Sequence, residues 1–236
     1  MNDMKIRLTV VLALFISITA LAQNKMDAEG KRDGKWQGTY ASKRLRYEGT
    51  FDHGKETGIF KFYEDTEGSP LMASREFATD GSCVTVFYDA KGKKASEGKE
   101  VNKMQEGEWK FYHPSSGKLV TTETYSKGKL SGIRKIYYPE GMVAEEMNFS
   151  NGMKNGPYKK YSPKGVVMEE SAYKDDRLQG PVTYRDEDNK VICTGQFAAN
   201  KKTGVWKYFE KGKLLKQENM TNKKVELATR PVRPAQ

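Results

Sequence analysis

The chain has 236 residues, 41 Lys and Arg against 31 Asp and Glu, and only 36% hydrophobic residues. So few aliphatics cannot fill a thick core, which leaves a thin architecture with aromatics as its apolar mass. The formal charge of +10 is either a solubility feature or a surface for anionic partners, among which an envelope lipid or polysaccharide is expected over nucleic acid if the chain is exported.

Residues 1–22 read as a signal peptide. Lys5 and Arg7 form a basic start, residues 8–22 an apolar stretch, and Ala20-Leu21-Ala22 a small-x-small cleavage site. The apolar stretch is shorter than the ~20 residues a spanning helix needs. No Cys follows it for lipid attachment, so the expected location is periplasmic or extracellular. Residues 23–29 read as an N-terminal linker.

From residue 30 the chain is periodic. Gly34, Gly58, Gly107, Gly132, Gly156, Gly180 and Gly204 recur at one phase, with Cys83 in the remaining slot. Four residues before each stands Gly30, Gly54, Thr79, Lys103, Gly128, Gly152, Asp176 or Asn200, mostly types that tolerate positive φ. Segments such as GKRDG, GKETG, GKLSG and GMKNG are therefore predicted to be tight connections between strands.

Two residues after the second Gly comes the column Trp36, Phe60, Thr85, Trp109, Arg134, Tyr158, Val182 and Trp206. Three residues further come Tyr63, Tyr88, Tyr112, Tyr137, Tyr161, Arg185 and Phe209. These runs are β-rich and too short for helices. A second turn and a second strand follow, ending on Phe51, Phe77, Val101, Tyr125, Phe149, Tyr173, Phe197 or Met220.

The prediction is an all-β chain of about eight tandem β-hairpins of ~24 residues each over 30–220, forming an elongated, twisted antiparallel sheet ~75–80 Å long. Aromatic columns are expected on one face, each side chain beside its counterpart in the next repeat. Lys61, Lys110, Lys135, Lys159 and Lys207 are expected to face Glu145, Glu146, Glu169, Glu170 and Glu218 in a solvated ladder. Residues 221–236, with Arg230-Pro231 and Arg233-Pro234, read as a disordered tail.

The unit G-x-x-x-G-x-W/F-x-x-Y, a Gly turn and a Glu-rich strand ending on Phe or Tyr resembles the bacterial variant of the MORN repeat. That variant is found in proteins often labelled YwqK-type antitoxins. GKRDGKWQGTY, GKETGIFKFY, QEGEWKFY, GKLSGIRKIYY, GMKNGPYKKY and KKTGVWKYF carry the resemblance. It implies neutralisation of a partner toxin, or association with a membrane surface.

Catalytic and metal signals are sparse. His53 and His113 lie in or beside turns, with no carboxylate or Cys at ligand spacing. Cys83 has no orienting acid, and the nearest His, His53, is in the preceding connection. Cys83 and Cys193 are about four periods apart, ~35–40 Å on a stacked sheet, too far for a disulfide. Asp186-Glu187-Asp188-Asn189 lacks the Gly and closing Glu of a calcium loop. No catalytic, cofactor or metal site and no small-molecule substrate are expected.

The basic residues of the Gly-x-x-x-Gly connections form a predicted positive stripe along one edge. Lys127, Lys129, Lys154, Lys201 and Lys202 are its candidate anion-binding residues. The expected function is a non-catalytic binding or scaffold module presenting a long sheet to a protein or envelope component.

Overall fold

The computed structural model describes residues 24–221. The expected signal peptide and nearly all of the expected tail lie outside the described residues. The strands are β1 (Lys25–Met26), β2 (Arg32–Thr39), β3 (Leu45–Asp52), β4 (Lys55–Tyr63), β5 (Leu71–Phe77), β6 (Cys83–Tyr88), β7 (Lys94–Val101), β8 (Met104–Tyr112) and β9 (Leu119–Ser126). They continue with β10 (Lys129–Tyr137), β11 (Val143–Ser150), β12 (Met153–Tyr161), β13 (Val167–Lys174), β14 (Arg177–Leu178), β15 (Gly180–Arg185), β16 (Val191–Ala198), β17 (Lys201–Glu210) and β18 (Lys213–Asn219).

Successive strands pair antiparallel from β1 to β18, with β14 and β15 sharing the place of one strand beside β13. The result is one open sheet of hairpins in chain order. The segment read as a linker contributes β1, which pairs Lys25 with Asp33 and Met26 with Arg32.

The two rims of the sheet use different turns. At the Gly-x-x-x-Gly rim the hairpins close with two residues at positive φ, as in His53-Gly54, Asn102-Lys103, Lys127-Gly128, Asn151-Gly152, Asp175-Asp176 and Ala199-Asn200. Two consecutive positive φ values match the right-handed twist of the flanking strands. Five of these six turns, all but Asn102-Lys103, are clasped by the start of the preceding repeat: Gly152 N–H donates to the Leu130 carbonyl at 2.7 Å and Gly54 N–H to Arg32 at 2.8 Å. At the opposite rim a longer turn recurs, as where Lys43 N–H donates to Tyr40 and Tyr40 N–H to Arg44.

The second glycine of each motif is not part of a turn, contrary to the sequence reading. Gly58, Gly107, Gly132, Gly156 and Gly204 sit inside strands at positive φ and coincide with register shifts against the preceding strand. They are bulges, which need a residue free to adopt that conformation. Cys83 occupies the slot without positive φ, and β5 and β6 accordingly pair without a shift.

The aromatic column does lie in one row across one face. Following the register, Phe60, Arg75, Thr85, Gly98, Trp109, Glu123, Arg134, Met147, Tyr158 and Ser171 face one another strand by strand. The expectation that each aromatic neighbours its counterpart is corrected, because a residue of the intervening second strand separates them. Where that residue is glycine, the ring lies over it. A Cβ at Gly98 would sit 2.3 Å from Trp109, one at Gly195 2.2 Å from Trp206, and one at Gly49 2.4 Å from Phe60.

Trp109, Trp206 and Phe60 are thereby 1% exposed within a single layer. Ring contacts instead join the first-strand column to the second-strand ends, as in Phe51–Phe60 at 5.1 Å and Phe197–Trp206 at 5.3 Å, both edge-on. The indole N–H of Trp109 donates to the Lys99 carbonyl at 3.0 Å, and that of Trp206 to Gln196 at 3.3 Å. Both carbonyls lie at the bulge, where the ladder shifts, so the indole supplies a donor there.

Candidate binding surface

The face opposite the aromatic row is built from three parallel rows. The outermost holds the first-strand residue before each aromatic-column member: Lys35, Ile59, Val84, Glu108, Ile133, Pro157, Pro181 and Val205, every one of them exposed. All but Lys35 and Glu108 are apolar, with Ile59 57% and Val84 50% exposed. The bulge beside this row interrupts the ladder, and side chains reach over to its carbonyls. Thr124 Oγ1 donates to Ile133 O at 3.0 Å, and Asn148 Nδ2 to Pro157 O at 2.9 Å. The bulge also explains why proline is tolerated mid-sheet.

The middle row is the Lys/Glu ladder. Register pairs Glu146 with both Lys135 and Lys159, and Lys159 with Glu170. Ion pairs follow at 3.3 Å for Lys135–Glu146 and 3.8 Å for Lys159–Glu170. Glu145, Glu169 and Glu218 do not join it, since the alternation of strand residues turns them to the aromatic face. There Glu145 pairs with Ile136 and Lys160, and Glu218 with Trp206.

The third row is the Tyr column, whose hydroxyls reach back 15 residues to the middle row. Tyr63 donates to Glu48 at 2.7 Å, Tyr161 to Glu146 at 2.9 Å, and Tyr112 to Glu97 at 2.5 Å. Arg185, the column's one basic residue, keeps the offset and pairs with Glu170 at 2.8 Å. Burial, then the glutamate, pushes the phenols of Tyr63, Tyr112 and Tyr161 up to about 12. The Tyr63 hydroxyl in turn holds the Glu48 carboxyl below its ordinary value. The fixed offset between the Tyr and Glu columns is a sequence signal for this contact that went unread.

The five candidate lysines all stand at the Gly-x-x-x-Gly rim, as expected of an edge, but their side chains divide between the two faces. Lys154 and Lys202 turn to the aromatic face, over the rings of Tyr173 at 5.0 Å and Trp206 at 4.0 Å. Alternation places Lys129 and Lys201 on the other face, opposite Ser126 and Ala198. Lys127 is in the turn itself, its N–H bonded to Glu106 at 2.8 Å. Acids share this rim: Asp176 accepts from Lys154 N–H at 2.8 Å, and Asp175 from Asn155 at 3.4 Å.

The remaining chemical candidates are tied into structure. Both thiols are free and buried, and burial pushes each above its ordinary range, which disfavours the thiolate. Asp186 Oδ1 accepts from Asp188 and Lys190 N–H, closing its own turn. His113 Nδ1 faces the N–H groups of Ser115 and Ser116. His53 does have a carboxylate partner, contrary to the sequence reading: its Nδ1 lies 2.8 Å from Oδ2 of Asp27, which is 26 residues earlier and within hydrogen-bond reach only through tertiary pairing.

A family model described as MORN repeat variant matches residues 130–151 and 154–175. These two consecutive repeats take in most of the β10–β11 and β12–β13 hairpins. No curated protein matches the chain. Among solved structures, TarM is similar to it over 42% of this chain and 19% of that chain, at 11% identity and a TM-score of 0.31. A Bacteroides fragilis protein of unknown function is similar over 81% of this chain and 94% of that chain, at 11% identity and a TM-score of 0.12. The chain thus spans about a fifth of the length of TarM.

Proposed function

We propose that this chain is an exported, non-catalytic repeat protein whose ladder-bearing face binds a partner protein in the periplasm or outside the cell. The observation that carries the reading is the row Ile59, Val84, Ile133, Pro157, Pro181 and Val205: apolar, exposed, and at the same position of six of the eight hairpins. Apolar positions lying between the Lys/Glu ladder and the rim lysines Lys129 and Lys201 give the apolar strip with polar borders that protein interfaces use. The match to MORN repeat variants supports a binding module, since such repeats serve as protein- or membrane-binding units. Lys5, Arg7 and the apolar stretch after them support export.

The test is capture of partners from the native envelope fraction, comparing the wild-type chain with an Ile133→Lys/Val205→Lys variant. A protein captured by the wild type and lost with the variant supports this face as the interface, and a toxin in that position would assign the antitoxin role. Salt-sensitive binding to anionic vesicles, unchanged in the variant, would overturn the protein-binding reading in favour of a membrane surface.

A further inference from the structure

The first rim of the array holds a group of side chains that the binding reading does not use. We propose that Asp27, Glu29 and His53 bind a first-row divalent metal ion, with zinc as the representative species, and that the ion fastens the N-terminal segment to the first hairpin turn. One ligand atom from each of the three lies within 4.8 Å of the others. Asp27 comes from the loop between β1 and β2 and His53 from the turn between β3 and β4, so the group joins segments 26 residues apart.

The arrangement is organised in advance. Asp27 is 6% exposed at its side chain. Its Oδ1 is held by the N–H groups of Lys31 at 2.7 Å and Glu29 at 3.0 Å, which aims Oδ2 at the imidazole. His53 is fixed by the positive φ of its turn, and its ring is two-thirds exposed and free to adjust. Glu29 is exposed beside them, and Asp52 lies 3.9 Å from His53 Nε2, adding negative charge.

The donor set of one imidazole nitrogen and two carboxylates suits a borderline cation rather than calcium or magnesium, which take oxygen alone. Zinc sits about 2.0–2.2 Å from such atoms, so two ligand atoms at tetrahedral angles around it stand about 3.3–3.6 Å apart. The present Nδ1 to Oδ2 separation of 2.8 Å therefore needs to open by about half an ångström or somewhat more, while the remaining ligand atoms, now within 4.8 Å, close in around the ion. The ion would take the place of the proton shared between the two groups, with water completing its shell.

The experiment titrates zinc sulfate into the full chain, free of chelator and without a histidine tag, by calorimetry, and records the cobalt(II) visible spectrum in parallel. His53→Asn is the informative variant, because Asn151 and Asn102 hold the same turn position at similar φ and the backbone is preserved. The wild type is expected to bind one equivalent saturably. His53→Asn and Asp27→Asn should weaken binding at least tenfold and remove the cobalt bands, whereas His113→Gln should change neither. Absence of saturable binding by the wild type, or binding that survives in His53→Asn, overturns the site. The outcome is independent of the partner-capture experiment.

Discussion

The repeats around β8 and β17 and the stretch from β5 to β7 fill the same row of the sheet in opposite ways. In the first, a tryptophan ring lies over Gly98 or Gly195 and is sealed from water. In the second, the row holds Arg75 and Thr85, and Cys83 stands where the others have the bulge glycine. Thr85 and Cys83 are small, so Arg75 reaches across β6 to Glu100 on β7, at 3.2 Å. Glu100 is itself buried, with Cys83 Sγ 3.8 Å away. Arg134 repeats the substitution in milder form, paired at 3.4 Å with Glu123, which also accepts from Tyr125 at 2.5 Å. The hairpin period is therefore compatible with two kinds of core, a ring over glycine or an ion pair over small side chains. Its persistence rests on backbone pairing and turn chemistry rather than on one packing motif.

The largest effect should come from the aromatic kind. Trp109→Ala is expected to cost ~3–5 kcal/mol, because a fully buried ring leaves a void. Gly98→Ala should cost ~1–3 kcal/mol by forcing the ring aside. In the Trp109→Ala background the Gly98 change should cost little. Urea denaturation of the double-mutant cycle measures this, and additive costs would show that ring and glycine do not oppose each other.

In the polar kind, Arg75→Met should cost ~1–3 kcal/mol by leaving Glu100 buried without its partner. Arg75→Met/Glu100→Leu should regain most of that loss. A double variant as unstable as the single one would mean that the stretch from β5 to β7 needs its ion pair for reasons beyond charge balance.

The bulges sharpen the contrast further. Gly107 has φ 71 and nothing within 4 Å of an added Cβ, so Gly107→Ala should cost only the left-handed backbone penalty of ~1–2 kcal/mol. Cys83→Gly should stabilise nothing, since that slot has no positive φ to relieve. Thermal melts of both variants check the pair, and a gain in the Cys83 variant would indicate a latent bulge in β6.

The smallest effect is a pH dependence on the opposite face. Glu48 titrates below its ordinary value in the folded chain, so its contribution is present above the unfolded carboxylate range and lost as pH falls through the folded value. Tyr63 titrates at about 12, so its contribution holds below the unfolded phenol value near 10 and disappears as pH rises through 12. Tyr63→Phe should flatten both flanks of a stability-versus-pH series, because it removes the group that titrates on the alkaline side and the hydrogen bond that lowers Glu48 on the acid side. An unchanged profile would show that the hydrogen bond is silent in solution.

The spacing of Gly34 to Gly204 and of the aromatic columns was enough to determine hairpins, their number and their antiparallel order, because turn residues and alternation act over short stretches of chain. Which residue stands opposite which was decided in three dimensions. The two strands of each repeat interleave, so Trp109 meets Gly98 and Glu123 rather than another aromatic. The role of the second glycine was likewise hidden, since a glycine in a turn and one in a bulge look alike in a sequence and differ only in the partner strand. The fate of the rim lysines depended on side-chain direction: Lys154 and Lys202 lie over rings of the aromatic face, whereas Lys129 and Lys201 alternate to the other face. His53 and Asp27 met only because β1 pairs with β2 and so folds the N-terminal segment back against the first turn, a contact no local pattern encodes.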